Sequence, residues 1–87
     1  MNQQLLDKTL EIFIKFLLRE GWNSQQALKE ARVVRREVGI AGDITKLDYV
    51  RMSRVGALKV LTRAQRRDMQ LLWNNATNHA HFALGDK

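Results

Sequence analysis

Residues 5–18, LLDKTLEIFIKFLL, decide how this chain must fold. At about 100° per residue, Leu5, Leu6, Leu10, Ile12, Phe13, Ile14, Phe16, Leu17 and Leu18 cover roughly two-thirds of a helix circumference, whereas a helix on a protein surface needs little more than a 100° stripe. A helix this broadly apolar has to be covered on several sides. Its remaining polar strip is Lys8, Glu11, Lys15 and Arg19, in which Glu11 precedes Lys15 by four residues, the order that favours an ion pair. The stretch reads as the central post of an all-α domain or as half of a subunit interface. In the second case Leu6, Leu10, Phe13, Ile14 and Leu17 are the side chains that a second copy would cover.

Outward from this post, the turn signals divide the chain into about four helices. Gly21 is placed to close the first helix in a left-handed conformation, with Trp22 folding back on Leu17. Asn23 then caps a second helix, with Gln26 three residues on as its reciprocal partner. This second helix, Ser24 to about Val38, presents Ala27, Ala31, Val34 and Val38 as a narrow inward seam with Leu28 beside it. On its opposite face Lys29, Arg32 and Arg36 line up, with Gln25 in the same row. The glycines of residues 39–43 are expected to end the helix. They are too few and wrongly spaced to cradle a phosphate.

A third helix is expected from Thr45, with Asp48 in the capping-box position, to about Ala57. Its inward set is Leu47, Val50, Ala57 and Leu58, with Tyr49, Met52 and Gly56 on the opposite side. Thr62 begins the last helix with Gln65 as return partner. There Met69, Leu72, Trp73, Ala76, Ala80 and Ala83 share a face as far as about Leu84. Residues 74–78 are poor helix formers. A kink is expected there, with 75–87 frayed or forming a short extra turn.

Residues 1–87 therefore form one all-α domain, a small bundle of about four helices, with no linker and no internal repeat. A chain of 10.1 kDa buries about 64% of its unfolded surface, which leaves little margin, so the apolar breadth of the first helix is read as half of a homodimer. With no cysteine, disulfides, thiolate catalysis and thiolate zinc sites are excluded, and a cytoplasmic location is expected. The amino-terminal apolar run opens with Asn2, Gln3 and Gln4 and is interrupted by Asp7, Glu11 and Lys15, so it suits neither a secretory leader nor a membrane span.

Charge is the compositional outlier. The net charge is +6, and eleven of the fifteen basic residues but four of the nine acidic ones fall between residues 29 and 67. Catalytic groups are sparse by contrast. His79 and His81 would point about 200° apart on a helix and cannot share a metal, and nothing local marks Ser24 or Ser53 as an activated nucleophile. No enzyme, no metal and no cofactor is the expectation. The expected function is binding of DNA or RNA by a non-enzymatic regulator through Lys29, Arg32, Arg35, Arg36, Arg51, Arg54, Arg63, Arg66 and Arg67, a set rich in the bidentate guanidinium. The alternative is a protein-binding adaptor or inhibitor that sets the same cations against an acidic partner, with Tyr49, Met52 and Trp73 as apolar anchors.

Overall fold

The computed structural model describes residues 3–49 and 62–85, and among these the chain is all helical. Helix α1 spans Gln3–Arg19, α2 spans Ser24–Ala41, a short 3₁₀ turn occupies Ile44–Lys46, and α3 spans Arg63–Ala83. The first helix is the post on which the others rest. It packs on one side against α2 and on another against α3, the 3₁₀ turn touches both of those helices, and α2 and α3 make at most marginal contact with each other.

This arrangement explains the breadth of the apolar face. Leu6, Leu10, Phe13 and Leu17 form the fully buried line of α1, with Thr9 beside them. Leu5, Ile12, Ile14 and Phe16 on the flanks are half-buried against the same core. Thr9 is accommodated because its hydroxyl donates to the Leu5 carbonyl one turn earlier, at 2.7 Å. The polar strip faces outward, with Glu11 held by Lys8 at 3.1 Å and by Lys15 at 4.0 Å.

The corner between α1 and α2 forms as the residue types demand. Gly21 takes φ +102°, the Trp22 N–H donates to the Leu17 carbonyl and the Gly21 N–H to the Leu18 carbonyl, each at 3.1 Å. These are the paired bonds of a Schellman closure. Asn23 then caps α2, its side chain accepting from the Gln26 N–H at 2.9 Å while Gln26 returns to the Asn23 N–H at 3.4 Å. The seam of Ala27, Ala31, Val34 and Val38 is buried, whereas Leu28 is about half exposed.

Helix α2 runs past the expected end. Gly39 is helical, and Gly42 closes the helix at φ +85° with its N–H on the Val38 carbonyl at 2.8 Å. The second glycine, which adopts the left-handed conformation, is the stop; the first is an ordinary helical residue on the exposed side.

The expected third helix does not begin at Thr45. Asp43 caps from two residues earlier, its carboxylate accepting from the Thr45 N–H at 2.9 Å, and only Ile44–Lys46 coil before Leu47 returns to extended geometry. The reason lies in α3, whose side chains take up the backbone groups of this segment. The Trp73 indole donates to the Ile44 carbonyl at 2.9 Å, and Gln70 accepts from the Tyr49 N–H at 2.8 Å. Ile44, Leu47 and Tyr49 are thereby turned into the core. The rest of that expected helix, residues 50–57, lies outside the described residues.

Helix α3 starts on its capping box, Thr62 accepting from the Gln65 N–H at 3.1 Å and Gln65 from the Thr62 N–H at 2.8 Å. It passes through residues 74–78 without a break. Met69, Trp73, Ala76 and Ala80 are buried along it, the Thr77 hydroxyl donates to the Trp73 carbonyl at 2.9 Å, and Gln70 donates to Asn74 at 3.1 Å. Tertiary burial outweighs the weak propensity of the asparagines. The segment expected to fray is thus helical to Ala83, although Ala83 itself is exposed.

Candidate nucleic-acid interface

Because Ala27, Ala31, Val34 and Val38 point inward, the residues half a turn away must point out, and Lys29, Arg32 and Arg36 are all exposed. They rise along the outer face of α2 by about 4.5 and then 6 Å, a row of about 10.5 Å. Among the described residues none of the three makes an ion pair or side-chain hydrogen bond. Of the acids on α2, Glu30 is buried toward the core, and Glu37, next to Arg36 in sequence, is half-buried about 100° around the helix from it. The row is thus presented to an external anion.

Arg35 leaves this row. It sits a third of a turn closer to α1 and reaches Asp7, its guanidinium donating to the carboxylate at 2.6 Å. Asp7 also accepts from the Gln3 amide at 3.0 Å. The Arg35 bond, and after it the Gln3 bond, hold the Asp7 carboxyl below the usual carboxylate range. Arg35 ties α1 to α2 and is not part of the outward row.

The remaining candidates form a second group. Arg63 and Arg67 are exposed in the first turns of α3, while Arg66 is half-buried and engaged in an interaction. Gln70, which follows Arg66 and Arg67 by four and three residues, takes the Tyr49 N–H, so this flank of α3 is turned toward the segment that carries the exposed Lys46. Arg51 and Arg54 lie outside the described residues. The structure brings Lys29, Arg32 and Arg36 together on α2 and Arg63, Arg66 and Arg67 together on α3.

The structure bears on two of the expected contact surfaces. Leu6, Leu10, Phe13 and Leu17 are buried within the chain itself and Ile14 is half-buried against the same core, so the side chains expected to meet a second copy are already covered by α2 and α3. Tyr49 and Trp73, expected as apolar anchors of an adaptor, are also wholly inside, and Met52 lies outside the described residues. His79 packs edge-on against Phe16 at 5.6 Å, and the continuous helix directs His81 elsewhere, as their spacing of two residues requires. Among the described residues no three potential metal ligands converge.

Sequence reasoning missed one polar pair. Glu30 is fully buried and accepts a 2.6 Å hydrogen bond from the Tyr49 hydroxyl. The signal was there in the register: Glu30 stands three residues after Ala27 and four before Val34, on the inward seam. Burial and the neighbouring carboxylate push the Tyr49 phenol far above its ordinary value. Nothing opens this pair to solvent, so it acts as a structural lock between α2 and the segment after the 3₁₀ turn.

Among the described residues, fold and surface together define a small all-α bundle with an exposed cationic row on one outer helix face. Among the described residues no helix is long and apolar enough to cross a membrane. No protein-family profile, no curated protein and no solved structure matches the chain.

Proposed function

We propose that this chain is a non-enzymatic regulatory protein of the cytoplasm that binds the phosphate backbone of DNA or RNA through the outer face of α2. The observation that carries the reading is the row of Lys29, Arg32 and Arg36, exposed and unpaired among the described residues, while Arg35 beside it is spent on Asp7. Cations so spaced contact successive phosphates and release counterions, which supplies affinity with little dependence on base sequence. Arg63 and Arg67 extend the contact where the nucleic acid curves around the domain.

Salt is the direct test. With three phosphates engaged by the α2 row of one chain, log K for random duplex should fall against log salt with a slope of about −2.7, steepening to about −4.5 where Arg63 and Arg67 also engage, and a homodimer presenting two rows should double the slope. Sedimentation at the same concentrations assigns the slope to one copy or two. A slope near zero, or no binding at low salt, refutes the reading.

A further inference from the structure

We propose that the groove between the end of α1, the α1–α2 corner and the first half of α3 docks a basic amphipathic helix of a partner protein. The groove holds about 500 Å³ and is lined by Trp22, Met69, Leu71 and Leu72, with Glu20 and Asp68 at its rim. A second depression of about 210 Å³, reaching Phe16, Arg19 and Asn75, shares Glu20 and Leu72 with the first. The two are therefore one trough. From Gln65 to Asn75 it follows ten residues of α3, about 15 Å or three helical turns. That is a length suited to a helix lying in a groove with two apolar anchors about one turn apart.

The walls state what such a helix must carry. Leu71 is 60% exposed, Trp22 and Leu72 are half-buried, and together they offer an apolar floor that stays open among the described residues. Glu20 and Asp68 are exposed, and among the described residues neither side chain has an ion pair or hydrogen bond. At the wider end, two exposed carboxylates beside an apolar floor favour Lys or Arg next to Leu-like side chains and disfavour the polyanion that suits α2, while Arg19, 5.8 Å from the Phe16 ring centroid, marks the narrower end. On α3, Asp68, Leu72 and Asn75 lie on the side away from Arg63 and Arg67, whereas Leu71 follows Arg67 by four residues and marks the edge where the trough meets the basic flank. The proposal stands apart from the nucleic-acid reading.

The probe is a 15-residue amphipathic peptide of Leu and Lys, compared with its Leu and Glu counterpart, titrated into the full chain under amide NMR. Because the protein is itself strongly cationic, association with the Lys peptide has to arise locally. The expected result is micromolar binding of the Lys peptide alone, with shifts at the Trp22 indole and at Asp68, Leu71 and Leu72. The E20Q/D68N double variant should weaken it about tenfold, the combined worth of two exposed charge pairs freed from competition. Leu71→Lys, which obstructs the floor and leaves both carboxylates in place, should abolish it, and circular dichroism checks that each variant folds. Equal binding of both peptides, shifts elsewhere, or no binding overturns the proposal. So does movement of the same amides on dilution without peptide, which would make the occupant a second copy.

Discussion

The hydroxyl of Tyr49 donates a 2.6 Å hydrogen bond to the carboxylate of Glu30 in the interior of the bundle, where both side chains are wholly withdrawn from water. A buried carboxylate is costly unless it is bonded, and here the phenol helps to satisfy it. The pair joins α2 to a segment that is otherwise held by Gln70 and Trp73 of α3.

Tyr49 is the chain's single tyrosine, so phenolate absorbance near 295 nm reads this site alone. Burial first, then the charge of Glu30, raises the phenol well above its ordinary value. A raised folded-state value means that the stability it contributes is complete below about pH 10 and is lost as pH rises beyond that. Phenolate should therefore appear only together with loss of helical circular dichroism. Titration near pH 10 in a protein that stays helical would contradict the buried pair. Tyr49→Phe removes the donor and should cost about 1–3 kcal/mol in urea unfolding.

The Asp7–Arg35 pair acts at the other end of the pH scale. The Arg35 hydrogen bond depresses the Asp7 carboxyl, so its stabilising contribution is present above about pH 4 and is lost as pH falls through the folded-state value. Glu11, lowered by Lys8, and Asp43, lowered by the Thr45 N–H, have the same sign. Asp7→Asn should flatten the acid limb of stability between pH 5 and 2 without abolishing it. An acid limb identical to that of the parent protein would show that the pair is not maintained in solution.

The two capping boxes are predicted to differ in one respect. Asn23→Ala and Thr62→Ala each remove a side chain that accepts from the third residue's N–H, and each should cost about 1 kcal/mol. The return bonds are unequal: Gln65 reaches the Thr62 N–H at 2.8 Å, whereas Gln26 reaches the Asn23 N–H only at 3.4 Å. Gln65→Ala should therefore destabilise more than Gln26→Ala, as chemical denaturation of both variants would show.

These boxes were legible in the sequence because a cap is a local device. The same holds for the closure at Gly21, for the inward seam of α2 and for the outward row opposite it, all read from periodicity. What could not be read was which partner satisfies which backbone group. Whether the chain coils at Thr45 depends on Trp73 and Gln70, which approach Ile44 and Tyr49 from 29 and 21 residues away. The same limit applied to α1. Its breadth called for cover on several sides, but periodicity does not distinguish cover by α2 and α3 of one chain from cover by a second copy. In the candidate site, the position of Arg35 on its helix hinted at its departure from the row, yet its diversion to Asp7 rests on a contact across 28 residues.

That diversion yields the sharpest test of the proposed interface, because neighbouring arginines should behave oppositely. Arg32 and Arg36 are exposed and unpaired, so reversing both to Glu removes no internal contact and should leave stability within about 0.5 kcal/mol. Nucleic-acid affinity should nevertheless collapse, and restoring neutral side chains with Arg32→Ala and Arg36→Ala should reduce the salt slope by about one for each cation removed. Arg35→Glu should do the reverse: it places like charges at the α1–α2 contact, lowering thermal stability while leaving the salt slope near that of the parent. If R32E/R36E binds random duplex as the parent does, the row on α2 is a solvated face and the phosphate contacts lie elsewhere. If Arg35→Glu matches R32E/R36E in lost binding at unchanged stability, Arg35 belongs to the row and its bond to Asp7 yields when an anion arrives.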